Sequence, residues 1–557
     1  MFREKIANLK LRSQGLTLIL FAVWTLSESS SAQQIQSTTA TPTPTTTVSA
    51  EDLLANPPGA NWTSYNGDYS GRRYSSLNEI TAANVGQLHA AWAFHPGNSQ
   101  RLEVTPVVVR GIMYVTSAND VYALDARSGR IVWRHQREVG TGLLDDAASH
   151  KNRGVAVWQN FVYAETDDAN LLCLDARSGS LVWDMIYADK VKHYGATSAP
   201  LVVKDTVIVG TSGGDSGVRG FLEAHDAATG KLKWHLWTIP GPGEFGSASW
   251  PGDSYLHGGG TTWMPGTYDP ELDTLYWTTS NAAPDFDGAS RPGDDLYTSC
   301  VLAIDPNTGK LKWYFQFTPH DIYDYDANET PVLVNVKENG VQRHLLVQAN
   351  RNGFLYVLDR RDGMFLNAAP FVDKLNWATG IDSSGRPKLS GRMPTSQGEY
   401  ICPGISGATN WFSPSYNPET KLLYVMALEN CDLFFSKPQA FARGETYYAT
   451  GTKTPLGNNA QKILLALSLP EGKIVWRYPQ AGHGDSWAGT LTTAGGLVFF
   501  GDDAGSFEAV DARNGRALWN FNTGQTIYAS PMSYAVDGTQ YVTIAAGSDI
   551  FTFSLSH

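Results

Sequence analysis

Ala123-Leu-Asp-Ala-Arg-Ser-Gly-Arg-Ile-Val-Trp133 is the stretch that decides the fold, because its pattern returns along the whole chain. An apolar strand leads into a tight Asp-x-x-Ser/Thr-Gly turn, and a second strand ends in a large ring. Glycine suits this turn because it adopts positive φ angles at little cost. Similar copies end at Trp183, Trp234 and Trp313, weaker copies end at Asn367, Trp476 and Trp519, and an ending without the turn lies at Trp92.

Each copy also has room for earlier strands, such as Gly111–Ser117 before the first copy and Phe161–Glu165 before the second. Four short strands in a unit of about 40 to 50 residues are typical of a β-propeller blade. The eight endings therefore predict an all-β, eight-bladed β-propeller with tryptophan-docking repeats. The long spacings before Trp313 and Trp476 predict insertions, and long loops on a rigid scaffold usually carry function.

Composition and the N-terminus predict where the protein works. The net charge of -12 argues against nucleic acid as a partner, which needs a basic surface. Basic residues followed by the apolar run Leu16–Leu26 and a small-residue site predict a signal peptide at residues 1–32 and export to the periplasm. The run is shorter than the ~20 residues that span a bilayer, so we expect no membrane anchor after cleavage. Residues 33–55 are interpreted as a disordered Thr/Pro-rich linker and residues 56–557 as the propeller domain.

Export permits disulfide bonds, and the surroundings of the four cysteines indicate which of them form one. Cys402 and Cys431 lie in polar, loop-like segments and are predicted to form a disulfide. Cys173 and Cys300 lie in apolar strand segments and are predicted to be buried, inert thiols.

An acidic loop, Thr318–Glu329 (TPHDIYDYDANE), places Asp321, Asp324, Asp326 and Glu329 between strand-like segments. Like charges this close repel each other unless a cation lies among them, so the loop is a candidate metal site. A solvated acidic turn is the alternative when the loop is read alone.

Roughly residues 60–547 resemble the quinoprotein alcohol dehydrogenases, which are eight-bladed propellers that hold pyrroloquinoline quinone (PQQ) and a metal ion on the central axis. The resemblance rests on the repeat and on non-repeating segments. These segments are Asn61–Tyr74, Ser212–Gly220, Gly258–Trp263, Thr279–Pro284, Arg351–Phe354 and Gly407–Trp411.

The resemblance implies a role for each matching residue. Asp215, Asn281 and Asp324 would hold the metal, with Asp326 as a further ligand, and hard oxygen ligands suit calcium or a lanthanide. The family usually has Glu at position 215, one methylene longer than Asp215. Asp324 would be the catalytic base and Arg351 would stabilise charge on the quinone. The other cofactor-binding residues would be Glu103, Arg153, Thr197, Ser212, Gly213, Gly214, Trp263, Asn410 and Trp487.

Two acids of the loop fall outside these roles. Asp321 and Glu329 are expected to cap turns or to pair with basic groups. Asp326 is expected to point the same way as Asp324 if the segment is extended, because alternate residues of a strand share a face.

The expected function is an exported PQQ- and metal-dependent dehydrogenase that oxidises a small alcohol to an aldehyde. No Cys-x-x-Cys-His segment for a covalent haem is present, so a separate soluble cytochrome c is the expected electron acceptor. The family usually has adjacent cysteines where this chain has Ala147 and Ala148, which favours an alternative, a sugar or polyol dehydrogenase. A non-catalytic propeller scaffold is the third hypothesis. The oligomeric state stays open, with a homodimer as one option.

Overall fold

Residues 47–98, 101–338, 340–482 and 486–556 are described by the computed structural model of the protein. The predicted signal peptide, residues 1–32, and residues 33–46 of the predicted linker lie outside this part of the chain. The end of the predicted linker is ordered, because Ala50–Leu54 form helix α1, which is capped by Ser49. Leu53 is buried in the hydrophobic core. The fold therefore begins before the predicted boundary at residue 55, since a capping box and one buried leucine order a turn that composition does not reveal.

The regular secondary structure of the described chain is almost entirely β-strand, as predicted. Helix α2 is Asp145–Ala148, and short 3-10 segments lie at Val85–Gln87, Lys190–Lys192, Gly214–Ser216, Ser247–Ser249 and Ser254–His257. The strands in chain order are β1 Tyr74–Ser75, β2 His89–Phe94, β3 Val107–Val109, β4 Ile112–Ser117, β5 Asp120–Asp125, β6 Ile131–His135, β7 Val155–Trp158, β8 Phe161–Glu165, β9 Asn170–Asp175, β10 Leu181–Ile186, β11 Leu201–Val203, β12 Thr206–Val209, β13 Phe221–Asp226, β14 Leu232–Trp237, β15 Thr267–Asp269, β16 Thr274–Thr278, β17 Cys300–Ile304, β18 Leu311–Gln316, β19 Val332–Glu338, β20 Val341–Ala349, β21 Phe354–Asp359, β22 Phe365–Pro370, β23 Ala378–Ile381, β24 Pro387–Leu389, β25 Glu399–Ile401, β26 Ser415–Asn417, β27 Leu422–Glu429, β28 Asp432–Ser436, β29 Thr450–Lys453, β30 Gln461–Ser468, β31 Ile474–Pro479, β32 Thr490–Thr493, β33 Leu497–Gly501, β34 Ser506–Asp511, β35 Ala517–Asn522, β36 Met532–Val536, β37 Thr539–Ala546 and β38 Asp549–Ser554.

Most of these strands group into sheets of four or five that follow chain order. Sheets 1 to 5 are β3–β6, β7–β10, β11–β14, β15–β18 and β19–β22. Sheet 6 is β26, β27, β30 and β31, sheet 7 is β32–β35 with β1 in parallel, and sheet 8 is β36–β38 with β2. Because β2 pairs with β38, the beginning and the end of the folded chain share one sheet.

The tryptophan of each repeat packs on the turn of the next sheet. Trp133 Nε1 donates to the carbonyl of Ala176 at 3.0 Å, and a Cβ added to Gly179 would lie 2.5 Å from the Trp133 ring. Gly179 also has a φ of 71°, so the turn needs glycine both for its backbone and for this contact. The same contact with a turn glycine recurs for Trp92, Trp183, Trp234, Trp313 and Trp476.

Asn367 and Trp519 depart from the pattern of the repeat, but each still forms a contact between neighbouring sheets. Asn367 at the end of sheet 5 donates its Nδ2 to the carbonyl of Pro470 in sheet 6 at 3.0 Å. Trp519 of sheet 7 donates its Nε1 to the carbonyl of Leu88, beside β2 of sheet 8, at 3.0 Å. Trp92 of sheet 8 then contacts Gly129 of sheet 1, so the contacts return to their start. The predicted all-β propeller is confirmed; the blade number stays a prediction, which the eight sheets of the described residues support.

The cysteines behave as their surroundings indicate. Cys402 and Cys431 form a disulfide, and Cys173 and Cys300 are buried thiols. Burial raises the pKa of Cys173 to about 12, which keeps this thiol protonated and unreactive.

The second predicted insertion carries extra structure beside sheet 6. It contains the hairpin β23–β24 and a three-stranded sheet of β25, β28 and β29. Its residue Phe441 packs where a side chain on Gly217 would otherwise lie, so the insertion touches the glycine-rich loop after β12. Within the ranges described above, every helix is too short or too polar to cross a membrane.

Candidate active site

The acidic loop Thr318–Glu329 joins β18 to β19 and lies largely inside the protein. Asp321 is fully buried, and its carboxylate accepts the backbone N–H groups of Tyr323 at 2.9 Å and Tyr325 at 2.8 Å. Burial raises the pKa of Asp321 to about 6. Asp321 therefore caps the turn that presents the next acids, as expected.

Arg351, which follows β20, binds two acids of this loop. Its Nη2 donates to Asp324 Oδ2 at 2.9 Å and its Nη1 donates to Asp326 Oδ2 at 2.7 Å. The other oxygen of Asp326 accepts the backbone N–H of Asn281 at 2.8 Å. Burial raises the pKa of Asp324 well above its ordinary value, and the charge of Arg351 opposes that shift. The arrangement, which we call the Arg351 clamp, fixes Asp324, Asp326 and Asn281 beside one another.

Asp324 and Asp326 converge as expected, both on Arg351, but strand alternation is not the reason. The segment is not a strand, and Asp324 has a left-handed φ of 60°. The turn held by Asp321, rather than strand alternation, directs Asp324 toward Arg351. Glu329 is buried as well: its Oε2 has no hydrogen-bond partner among the described residues, and burial raises its pKa well above the ordinary value.

The predicted metal ligand Asp215 lies in a loop that depends on glycine. Gly213 and Gly217 flank it with φ angles of 103° and 68°, and a Cβ on Gly213 would meet the carbonyl of His193 at 2.3 Å. The carbonyl of Asp215 accepts the backbone N–H of Tyr447, from the insertion, at 2.6 Å. Two sheets and an inserted segment thus set the position of this acid.

A second group of residues at the site is cationic. Arg153 is buried, and it donates to Glu103 Oε2 at 2.6 Å and to the carbonyl of Thr197 at 2.8 Å. Its guanidinium lies 4.4 Å from the ring centre of Trp411 and 5.0 Å from that of Trp263. Aromatic faces stabilise such a cation where water is scarce.

Two further cations, which sequence reasoning missed, join this group. Arg101 also donates to Glu103 and stacks 3.9 Å from the ring centre of Tyr528, and Lys151 Nζ lies 3.8 Å from Glu103 Oε1. Arg101 stands two positions before Glu103 and Lys151 two positions before Arg153 in the sequence, which is the only signal that could have found them. Three cations around one carboxylate leave a net positive charge for an anionic ligand.

One cavity of about 360 Å³ brings the two sides together. The predicted residues in its wall are Arg153, Ser212, Gly213, Gly214, Asp215, Trp263, Asn281, Asp324, Asp326, Arg351, Asn410 and Trp487. Glu103 and Thr197 are not in the wall and lie behind Arg153. The wall residues that were not predicted are Arg101, Lys151, Thr261, Ser280, Trp411 and Tyr528. Ala147, where the family usually has cysteine, is buried in α2 against Gly195.

The donors and charges of this cavity fit a planar polyanion next to a cation. Ser212 Oγ, Arg153 Nε and Arg351 Nε are buried without a hydrogen-bond partner among the described residues, and such atoms are costly unless a ligand binds them. The cationic side suits carboxylates, the tryptophans suit a flat ring system, and the acidic side suits a metal ion. Within the described part of the chain, no three Asp, Glu, His or Cys side chains can hold a metal by themselves, so the predicted set depends on Asn281 and on ligand atoms.

The sequence matches a known family over most of this architecture. The family, described as PQQ, the glucose/ethanol/alcohol dehydrogenase β-propeller domain, matches residues 62–369 and 454–542. The chain belongs to this family of PQQ-dependent dehydrogenases.

Individual relatives are similar along most of their length. The quinoprotein alcohol dehydrogenase PedH of Pseudomonas putida is 35% identical over 530 residues, 90% of this chain and 88% of that protein. The 1-butanol dehydrogenase (cytochrome c) of Thauera butanivorans is 35% identical over 88% of this chain and 74% of its own length. A solved europium-containing methanol dehydrogenase has a TM-score of 0.83 at 31% identity, over 91% of this chain and 99% of its own.

Family membership makes the chain an oxidoreductase of the PQQ-dependent alcohol dehydrogenase type, with PQQ and a metal ion as its cofactors. The non-catalytic scaffold is therefore removed from the hypotheses that the sequence left open. The roles of single residues within the cavity remain predictions, which the proposal below uses.

Proposed function

We propose that the protein is an exported dehydrogenase that oxidises a small alcohol to an aldehyde, with Asp324 as the base and a soluble cytochrome c as the electron acceptor. The observation that carries the proposal is the Arg351 clamp. One buried guanidinium holds Asp324 and Asp326 in the wall of a cavity whose far side carries Arg153, Arg101 and Lys151.

The cationic side would hold the cofactor. Arg153, Arg101 and Lys151 can each bind a carboxylate, and charge-assisted hydrogen bonds of this kind are about twice as strong as neutral ones. The hydroxyl group of Ser212, in the cavity wall, supplies a donor that no other residue of the described ranges uses. Trp263, Trp411 and Trp487 line the cavity with flat apolar faces and limit the access of water.

The acidic side would hold the metal. Asp215, Asn281, Asp324 and Asp326 offer the oxygen atoms that calcium and the lanthanides prefer. Asp326 adds a negative charge that a trivalent ion offsets more fully than calcium does, and a similar solved structure contains europium. The anchoring of Asp215 by Tyr447 supports a direct role for this shorter acid.

Asp324 and Arg351 would then have separate roles in the reaction. When bound, PQQ would supply the hydride acceptor and the metal ion would supply a Lewis acid beside it. Asp324 takes the hydroxyl proton, so the alcohol loses one hydride and one proton and becomes an aldehyde. Arg351 holds Asp324 toward the alcohol and stabilises negative charge that develops nearby.

Electron transfer and export rest on other observations. The sequence has no Cys-x-x-Cys-His segment, one relative is named for cytochrome c, and the net charge of -12 suits a basic partner. The N-terminal residues 1–32 have the layout of a signal peptide.

The test is reconstitution of the purified protein with PQQ and either Ca²⁺ or La³⁺, followed by dye reduction with a panel of alcohols. Turnover is expected with at least one metal, and native metal content decides between the two ions. Asp324→Asn should retain PQQ binding but lose turnover by about 100-fold or more, in line with general-base catalysis. Asp305→Asn, in a surface turn, is the matched control. Unchanged turnover in Asp324→Asn would show that another group is the base.

A further inference from the structure

Four consecutive residues, His150–Arg153, carry two of the cations in the cavity wall. The segment follows helix α2 and is itself neither helix nor strand. Its side chains alternate: Lys151 and Arg153 line the cavity, whereas His150 and Asn152 lie outside the wall. The segment therefore has one side that faces the cofactor site and another side that faces the protein.

Both side chains outside the wall bind the chain at the end of β8. His150 Nδ1 lies 2.6 Å from Asp167 Oδ2, and the nitrogen is the donor because a carboxylate only accepts. Asn152 Nδ2 donates to the carbonyl of Glu165, the last residue of β8, at 2.8 Å. These two bonds fasten the segment to sheet 2 on the side away from the cavity.

Asp167 is a well-fixed anchor for His150. Its side chain is 1% exposed, and its Oδ1 also accepts Asn119 Nδ2 at 2.7 Å and the backbone N–H of Gly140 at 3.0 Å. Asn119 follows β4 and Gly140 follows β6, so both partners come from sheet 1. The bond to Asp167 thus ties His150 to the junction of sheets 1 and 2.

The backbone at His150 depends on such an anchor. Its φ is 53°, a left-handed value that is unfavourable for a residue with a Cβ and persists only where the surroundings enforce it. Its N–H donates to the carbonyl of Ala147 at 3.1 Å, so this turn ends helix α2 directly before Lys151. If the side chain of His150 were released, the residue could return to an ordinary φ, and Lys151 would leave its direction.

We propose that His150 is a positioning residue for the cofactor site: its bond to Asp167 keeps Lys151 in the cavity wall, where the ammonium group binds a carboxylate of PQQ. Lys151 Nζ lies 3.8 Å from Glu103 Oε1, and the other oxygen of Glu103 binds Arg153, so Lys151 belongs to the cationic group of the site. The inference rests on the proposed function, which assigns this cationic group to the cofactor.

The test is titration of the metal-free apoprotein with PQQ, followed by tryptophan fluorescence. Lys151→Ala removes one charge-assisted contact and should weaken PQQ binding about tenfold. His150→Gly permits the left-handed φ but has no donor, and it should weaken binding by about threefold to tenfold. His150→Asn also tolerates positive φ and places an amide donor near the position of Nδ1, so its affinity should stay within about twofold of wild type.

The double variant that combines His150→Gly with Lys151→Ala shows whether the two residues act together. If His150 acts through Lys151, the double variant should bind PQQ as weakly as Lys151→Ala alone, because coupled residues have non-additive effects. His95→Gly is the control, since His95 Nδ1 also lies 2.7 Å from an aspartate, Asp549, but neither residue lines the cavity. This control should bind PQQ as wild type does.

The outcomes separate this inference from the proposed function. Additive losses in the double variant overturn the inference, because His150 would then act on the site without Lys151. Unchanged affinity in His150→Gly overturns it as well. If wild type does not bind PQQ, the proposed function itself fails. Thermal unfolding of each apoprotein checks that it is folded, and His150→Ala, which also lacks the donor, replaces His150→Gly in the same comparison if that variant does not fold.

Discussion

Arg351→Gln is the substitution that tests the organisation of the site most directly. The guanidinium is buried, with 8% of its side chain exposed, and it holds Asp324 and Asp326 at 2.9 Å and 2.7 Å. Glutamine keeps part of the length and one amide donor group but removes the charge. The buried Asp326 and the partly exposed Asp324 then lose their common partner.

The structure sets the size of the expected effect. Removing one partner of a buried ion pair costs about 3–5 kcal/mol, because the remaining charge stays out of water. Arg351 serves two carboxylates, but glutamine can still donate to one of them, so we expect about 3 kcal/mol. Turnover should fall by about 100-fold or more, because removing one donor that stabilises developing charge has this effect.

The assay is thermal unfolding of the purified protein without added PQQ or metal, followed by tryptophan fluorescence, with dye reduction measured separately after reconstitution. Arg386→Gln is the matched control. Its guanidinium is also paired, with Asp294 at 2.6 Å, but 50% of its side chain and 44% of the Asp294 side chain are exposed. An exposed pair contributes about 0–1 kcal/mol, so this control should unfold within about 1 °C of wild type.

The reasoning is refuted if Arg351→Gln and Arg386→Gln unfold at the same temperature. That result would mean that Asp324 and Asp326 do not depend on Arg351 for their burial. Normal turnover in Arg351→Gln would refute the catalytic part separately, even if stability fell.

Three further predictions test the pH dependence, the repeat and the cofactor site. Burial raises the pKa of Glu165 from 4.5 to about 8, so its carboxyl is protonated in the folded protein and the stability that this form contributes is lost as the pH rises from about 4.5 through 8. Glu165→Gln should therefore lose less melting temperature than wild type between pH 6 and pH 9; equal losses would contradict this. Gly179→Ala should cost about 2–4 kcal/mol in the free energy of unfolding, and Gly538→Ala only about 1 kcal/mol, because both have positive φ but only Gly179 faces the Trp133 ring. Equal costs by denaturant unfolding would show that the ring contact is unimportant. Arg101→Ala should weaken PQQ binding to the apoprotein about tenfold by fluorescence titration, since it removes one charge-assisted contact, and unchanged affinity would exclude that role.

Much of the site could be predicted because most of its residues lie in the family motifs. Twelve predicted residues line one cavity, including all four proposed metal ligands. Of the residues that were missed, Thr261, Ser280 and Trp411 lie within those motifs, whereas Arg101, Lys151 and Tyr528 stand outside them. Arg101 and Tyr528 are far apart in the sequence, and only the closed arrangement of sheets places the guanidinium on the ring.

The backbone geometry inside the acidic loop could not be predicted from the sequence either. Strand alternation predicts that Asp324 and Asp326 share a face, and the left-handed backbone at Asp324 breaks that pattern. The two acids still converge, because the turn capped by Asp321 and the side chain of Arg351 direct them.

The sequence by itself determined the propeller, because each repeat needs only its own turn and the tryptophan of its neighbour, and these contacts recur at regular spacing. The tertiary structure alone decided which charges face one another. Cations from the loops around sheets 1 and 2 and acids from the loops around sheets 3 to 5 meet only after the sheets have packed around the cavity. Electrostatic and hydrogen-bonding roles depend on distance and burial, which the order of residues does not contain.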